Sequence, residues 1–269
     1  MTRQPEQETI RILFEDDHLI AVVKPAGLIT ANAPAGKPSL FTWLKDHVGG
    51  GFIGIVSRLD APVSGVVVAA KDPATAAGLA KQFRDRAVGK AYAAVVTGRF
   101  PAAVDTWLTW EDGLFWDPGQ RKAVVAGDDR PEAARGGRRA GQGGAGRATG
   151  KRSRPAAAKQ AVTRARVIRR AGEVSLVSLE PLSGRRHQLR VQLAARGCPI
   201  VGDRLYGSRL PYGVPGGIAL RATRLELVHP GTGRALRWEA PTQDVWRAMF
   251  PSVFHDNGGS GRKNRPSPG

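Results

Sequence analysis

Along most of this chain the apolar residues come in short runs or alternate with polar ones, and helical spacing is confined to a few windows. Residues 10–14 and 19–23 are two apolar runs around Glu15-Asp16-Asp17-His18, which predicts two strands joined by a turn. Lys24-Pro25-Ala26-Gly27 then ends the second strand in a loop. Ser39 is placed to cap a short helix through Asp46, with Leu40, Trp43 and Leu44 on one face. Residues 52–56 and 64–70 read as strands, with Ser57-Arg58-Leu59-Asp60-Ala61-Pro62 between them. Asp72-Pro73 opens a helix with a capping carboxylate and a proline at the first helical position. Ala76, Leu79, Ala80, Phe83 and Ala87 follow at helical spacing, opposite Lys81, Arg84 and Asp85. Residues 91–96, reached through Gly89-Lys90, predict another strand, and residues 104–110 a further one.

The pattern stops at residues 126–159, which are mostly Gly, Ala and Arg. No core can form from that composition, so the stretch reads as a flexible basic insertion within one domain spanning residues 10–255. Residues 161–168 and 174–182 then predict a strand pair turning at Arg170-Ala171-Gly172. Gly184 leads into a helix over 186–195, which would put Arg186, His187 and Arg190 on one face and turn Leu189 and Leu193 to the core. The segment 197–207, with three glycines, reads as a structured loop without chemistry of its own. Residues 219–228 and 236–240 predict late strands, and the tail over 256–269 is Gly/Ser/Lys/Arg/Pro-rich, basic and expected to be disordered. Frequent hairpins with irregularly interleaved helices point to an α+β fold with a mixed, mostly antiparallel central sheet.

Charge sharpens the picture. Lys and Arg number 41 against 23 Asp and Glu, a formal net charge of +18. Nine Lys/Arg and three Asp/Glu of these lie in 126–159, a net of +6, so the rest of the chain still carries +12. A surplus of that size points to a polyanionic partner, nucleic acid above all. Cys198 is the single cysteine, which excludes an internal disulfide and a cysteine zinc site. The five histidines form no HxH or HxxxH pair. Metal catalysis is therefore not expected. No signal-like apolar segment and no run of about 18 apolar residues is present, so the default expectation is a soluble, cytoplasmic protein outside any membrane.

Three groups could carry chemistry. Asp60 sits in a loop between two apolar strands; alone it would be a turn aspartate. Tyr92 follows Gly89-Lys90-Ala91 into a strand; alone it would be packing. Arg185, Arg186, His187, Gln188 and Arg190 follow the Gly184 turn; alone they would form a solvated face.

Together, and in this order, they resemble the RluA-type RNA pseudouridine synthases. The resemblance rests on the opening from Ile12 to Gly27, on Ser57-Arg58-Leu59-Asp60 with Ser64-Gly65, and on Gly89-Lys90-Ala91-Tyr92. It continues through Ser183-Gly184-Arg185-Arg186-His187-Gln188-Leu189-Arg190 and Gly202-Asp203-Arg204-Leu205-Tyr206-Gly207. The resemblance implies the pseudouridine synthase fold and isomerisation of uridine in ribosomal or transfer RNA, without cofactor, by a monomer. It makes Asp60 the catalytic carboxylate, with Arg190 as its partner and Tyr92 lining the base pocket and serving as base for a ribose proton. Arg58 would help evict the uridine, and Lys90, Arg185, His187 and Gln188 would contact substrate.

The chemistry agrees. The target atom lies inside stacked RNA, so the base must flip out at a cost of a few kcal/mol, which an inserted arginine offsets. A carboxylate that attacks or stabilises the sugar must stay ionised, and an arginine partner favours that. Ser57 and Gln192 stand where the family usually carries histidine, and Ala61-Pro62-Val63 replaces a more polar stretch. The small N-terminal RNA-binding domain of many relatives is not expected here. The rival is a catalytically retired RNA-binding assembly protein of the same fold. It would have no use for Asp60, Tyr92 and Arg190 together.

Overall fold

The computed structural model describes residues 9–127, 157–240 and 244–254. The basic insertion over 128–156 and the tail from residue 255, together with the first eight residues, lie outside the described residues, and the expectations for them stay open.

Eleven strands among the described residues build one sheet: β1 Arg11–Glu15, β2 Leu19–Lys24, β3 Gly54–Ile55, β4 Ser64–Ala70, β5 Gly89–Thr97, β6 Leu108–Asp117, β7 Lys122–Val125, β8 Lys159–Ala171, β9 Val174–Pro181, β10 Leu220–Val228 and β11 Ala235–Glu239. The order is β1-β2-β4-β10-β5-β9-β8-β6-β7, with β3 on β4 and β11 on β10. The β4–β10 pair is parallel and the other pairs are antiparallel, as the alternation predicts. Among the described residues four helices flank it: α1 Leu40–His47, α2 Pro73–Arg84, α3 Gln188–Ala195 and α4 Asp244–Met249.

The strand period of two sorts the core. Leu19, Ala21, Val23, Val66 and Val68 pack on one face with Leu79 of α2. Ile20, Val22, Val67 and Ala69 pack on the other with Leu40 and Leu44 of α1. Each fully buried leucine contributes about 2 kcal/mol by leaving water. Both helices start at the predicted caps. The Ser39 hydroxyl accepts from Thr42 N–H, and Asp72 accepts from Thr75 N–H with Pro73 following. A third cluster, with Val63, Leu189, Leu193 and Trp246, fills the space under α3 and α4.

Several expectations shift. The strand expected over 52–56 shrinks to two residues. The strand expected over 104–110 begins only at Leu108, because Asp105 has φ +60 and turns the chain; Val104 keeps one isolated bridge to Val167. β7 and α4 were not anticipated, although Asp117-Pro118-Gly119 is a turn signal for the β6–β7 hairpin. α2 stops at Arg84, three residues short of Ala87, and Arg86 is left-handed at φ +61. α3 starts at Gln188, not 186, because His187 is held at φ +56.

Candidate active site

Asp60 is positioned by its loop. The Asp60 carbonyl accepts from Val63 N–H at 3.0 Å, closing a turn through Ala61 and Pro62. Lys24, buried at the end of β2, donates to Ala61 O at 3.2 Å, and Gly27 N–H donates to the same oxygen at 2.8 Å. Thr30 donates to Leu59 O at 2.6 Å, and Ile218 N–H donates to Pro62 O at 3.1 Å. Both ends of the loop are thus bolted to the strand ends, leaving the carboxylate 28% exposed.

Arg190, in the first turn of α3, reaches it. Arg190 Nη1 donates to Asp60 Oδ2 at 3.1 Å. The rest of the guanidinium is held by Asp203, whose Oδ2 accepts from Nε at 2.7 Å and Oδ1 from Nη2 at 2.8 Å. Asp203 is 1% exposed and sits after Gly202, just before the short 3-10 turn Arg204–Tyr206. A buried ion pair is costly unless its geometry is complete. Burial works against the Arg190 charge, but one guanidinium serves two carboxylates, whose hydrogen bonds and charges together raise its pKa above the ordinary value. Because Asp203 occupies the side of the fork, Arg190 engages Asp60 through one oxygen. The Arg190 hydrogen bond and the nearest approach of His187 both fall on Asp60 Oδ2.

His187 stands 3.6 Å from the same Oδ2 through Nε2. Its Nδ1 lies 2.9 Å from the Tyr206 hydroxyl, which accepts Ala123 N–H of β7 at 2.8 Å. The same hydroxyl also reaches Ala123 O at 3.3 Å, and which of the two takes its single proton sets the tautomer of His187. Burial lowers the imidazole pKa to about 4, outweighing the attraction of Asp60, so the ring is neutral.

Tyr92 lies mid-sheet on β5, opposite Leu179 and Ala222. Burial first, and the Asp60 charge second, push its hydroxyl pKa up, so the free protein holds a neutral phenol. Beside these groups opens a cleft of about 400 Å³ lined by Pro62, Arg190, Asp203, Leu205, Tyr212 and Ile218. That volume falls in the range of small-ligand pockets.

The structure therefore brings Asp60, Arg190 and His187 into direct contact and sets Tyr92 within reach of their charge. Arg58 projects into solvent beside Asp60. The remaining substrate candidates point elsewhere. Gln188 is a buried bolt: its Oε1 accepts from Ser183 and from Arg185 N–H, and its Nε2 donates to Val162 O and Thr163. Arg185 donates to Gln160 O at the start of β8. Lys90 lines a separate cleft of about 380 Å³ with Arg86, Glu180, Arg224 and Glu226. Asp203 and Tyr206 are what sequence reasoning missed, since they sit in the loop read as without chemistry. The expected shared face of Arg186, His187 and Arg190 also dissolves, since the helix begins only after His187.

The sequence profile of the RNA pseudouridylate synthase family matches residues 18–195. A ribosomal large subunit pseudouridine synthase D from Nitrosomonas europaea is 31% identical over 94% of this chain and 67% of its own length. The dual-specificity RNA pseudouridine synthase RluA of Escherichia coli (strain K12) is also 31% identical, over 88% of this chain and 95% of its own. The solved structure of human RNA pseudouridylate synthase domain containing 4 shares the fold, with a TM-score of 0.66 at 23% identity over 91% of this chain and 93% of that one. The RluA-type resemblance thus holds across most of the chain, and the chain belongs to the RNA pseudouridylate synthases, isomerases that act on RNA.

Proposed function

We propose that this enzyme isomerises a uridine of large-subunit ribosomal RNA, with Asp60 as the catalytic carboxylate, Arg190 as its clamp and Tyr92 as the wall of the base pocket. The single observation that carries the reading is the geometry of Asp60: a carboxylate held through Oδ2 by Arg190, itself locked by Asp203, with 28% of its side chain exposed. A nucleophile needs one oxygen oriented and the other available. The choice of ribosomal over transfer RNA follows the name of the Nitrosomonas relative.

In this reading Arg58 enters the space vacated by the flipped base. Asp60 Oδ1 then adds to C1′ of the ribose as the C1′–N1 bond breaks, and the electron pair leaves with the uracil on N1. The uracil turns, its C5 bonds to C1′, Asp60 departs, the C5 proton is lost and N1 takes up a proton. Atoms and charge balance within one nucleotide, so nothing in the sequence of steps calls for a redox or group-transfer partner. As the Asp60 charge is consumed in the adduct, one of the two influences that hold Tyr92 protonated disappears. The steps as written take no proton from the ribose, so in this route Tyr92 serves as a wall of the pocket, and a base role for it belongs to a route that does remove one. His187 places a neutral imidazole nitrogen 3.6 Å from Asp60 Oδ2, within reach of a base carbonyl as well. The enzyme acts as a monomer in the cytoplasm on this reading, where ribosomal RNA is its substrate.

The test is to incubate the purified protein with large-subunit ribosomal RNA and with transfer RNA lacking pseudouridine, then map the product by carbodiimide labelling and reverse transcription. New stops with the parent protein and none with Asp60→Asn, at RNA affinity within about tenfold since phosphate contacts dominate binding, are expected. Full activity in Asp60→Asn would overturn the assignment, stops in transfer RNA alone would move the substrate, and tight binding without any stop would favour the retired-enzyme reading.

A further inference from the structure

Next to the catalytic group lies a feature that the reaction as described does not use. The guanidinium of Arg186 stacks on the Trp116 ring, 3.5 Å from its centroid. His187 meets the same ring edge-on at 5.3 Å between centroids, and the other side of His187 faces Asp60. The stack is therefore one imidazole away from the catalytic carboxylate. Trp116 is half-buried on β6 and Arg186 is exposed, so the outer face of the guanidinium is open to solvent.

The other arginine–tryptophan stacks among the described residues have a different character. Arg164 and Arg166 lie over Trp107, but Arg164 is paired with Glu180 and Arg166 with Asp105. Arg196 lies over Trp110 and is paired with Asp112. Those stacks are neutralised and read as structural. Among the described residues, Arg186 has neither a carboxylate partner nor a hydrogen bond. A planar cation held flat by an aromatic ring, with its donors free, is suited to stacking a nucleobase on its open face.

We propose that the Arg186–Trp116 stack is a seat for the nucleobase beside the flipped uridine, holding the neighbouring nucleotide while the target enters the Asp60 pocket. The inference rests on the RNA-modifying reading above and adds a subsite to it. Base flipping leaves the adjacent bases without a stacking partner, and a rigid platform one ring from the pocket supplies one. Recognition here is of a base face, so it tolerates different bases.

The experiment compares the full chain with Arg186→Ala, Arg186→Lys and Trp116→Phe by fluorescence anisotropy. Two probes are used: a short labelled oligouridylate, and an abasic ribose-phosphate oligomer of the same length and charge. Base stacking predicts that Arg186→Ala weakens oligouridylate binding about tenfold while changing the abasic oligomer by less than about twofold. Arg186→Lys, which keeps the charge and loses the plane, should resemble Arg186→Ala, and Trp116→Phe, which keeps a ring, should lose less. Equal losses on both oligomers, full rescue by Arg186→Lys, or no loss on either would overturn the seat and leave at most a phosphate contact. Because binding is read without turnover, failure of the seat is separable from failure of the isomerase reading, which would appear as absent pseudouridine with the base-dependent binding intact.

Discussion

His187 carries three constraints at once. Its backbone is left-handed, its Nδ1 is tied through Tyr206 to β7, and its Nε2 faces Asp60. Burial moves its pKa from 6.5 to about 4, so the folded protein takes up this proton less readily than the unfolded chain between those values. The contribution to stability is therefore complete above pH 6.5 and is lost as pH falls toward 4. His187→Asn, whose side chain tolerates left-handed backbone, should lose about 1–2 kcal/mol less stability than the parent between about pH 7 and about pH 5. Denaturant titrations at the two pH values check this; equal losses would mean that the imidazole titrates as a solvent-exposed one. At this scale the Asp60–Arg190 contact was legible because the motifs that carry the two residues fall in family order. Asp203 and Tyr206 were not: they act only through Arg190 and His187, contacts that exist once Gly202 and the following turn are folded.

At the scale of elements, the Asp60 loop depends on how closely β4 approaches β10. Gly65 has φ +124, and a Cβ there would lie 2.2 Å from Ala222 O. Gly65→Ala should therefore cost about 3 kcal/mol or more, read as a Tm lower by roughly 6–12 °C. Gly36, at φ +75 with nothing within 4 Å of its Cβ position, provides the control. Gly36→Ala should cost only the backbone strain, about 1 kcal/mol. If the two variants melt alike, the β4–β10 contact is softer than the geometry says. The starts of α1 and α2 were readable because capping is a local side-chain-to-backbone exchange within three residues. The start of α3 was not, because the αL turn at His187 is imposed by distant partners: Gln188 bonded to Val162 and Thr163, and His187 to Tyr206.

For the whole molecule, a net charge of +18 places RNA affinity under electrostatic control. Binding of ribosomal RNA should fall on the order of a hundredfold or more between about 50 and about 200 mM salt, as released counterions are lost to competition. A flat salt response in filter-binding assays would mean that base contacts, not phosphates, carry the affinity. β7 ends and β8 begins on opposite sides of β6, at Val125 and Lys159, both level with Leu114. The described ends of the chain on either side of the basic segment thus flank one strand, two residues from Trp116.

The sequence by itself determined the local and the additive properties. Strand periodicity, helix caps and the charge surplus each depend on neighbouring residues or on sums, and they read through directly. The order of the motifs also marked the family. What only the tertiary structure decided are the relations between segments far apart in the chain. The parallel β4–β10 pairing carries the Asp60 loop to a helix 130 residues away. Asp203 then chooses which side of Arg190 faces the carboxylate, and the turn before α3 separates Arg186 from the helix face and lays it on Trp116. Such contacts are set by long-range packing and the burial of paired charges, which no local pattern encodes.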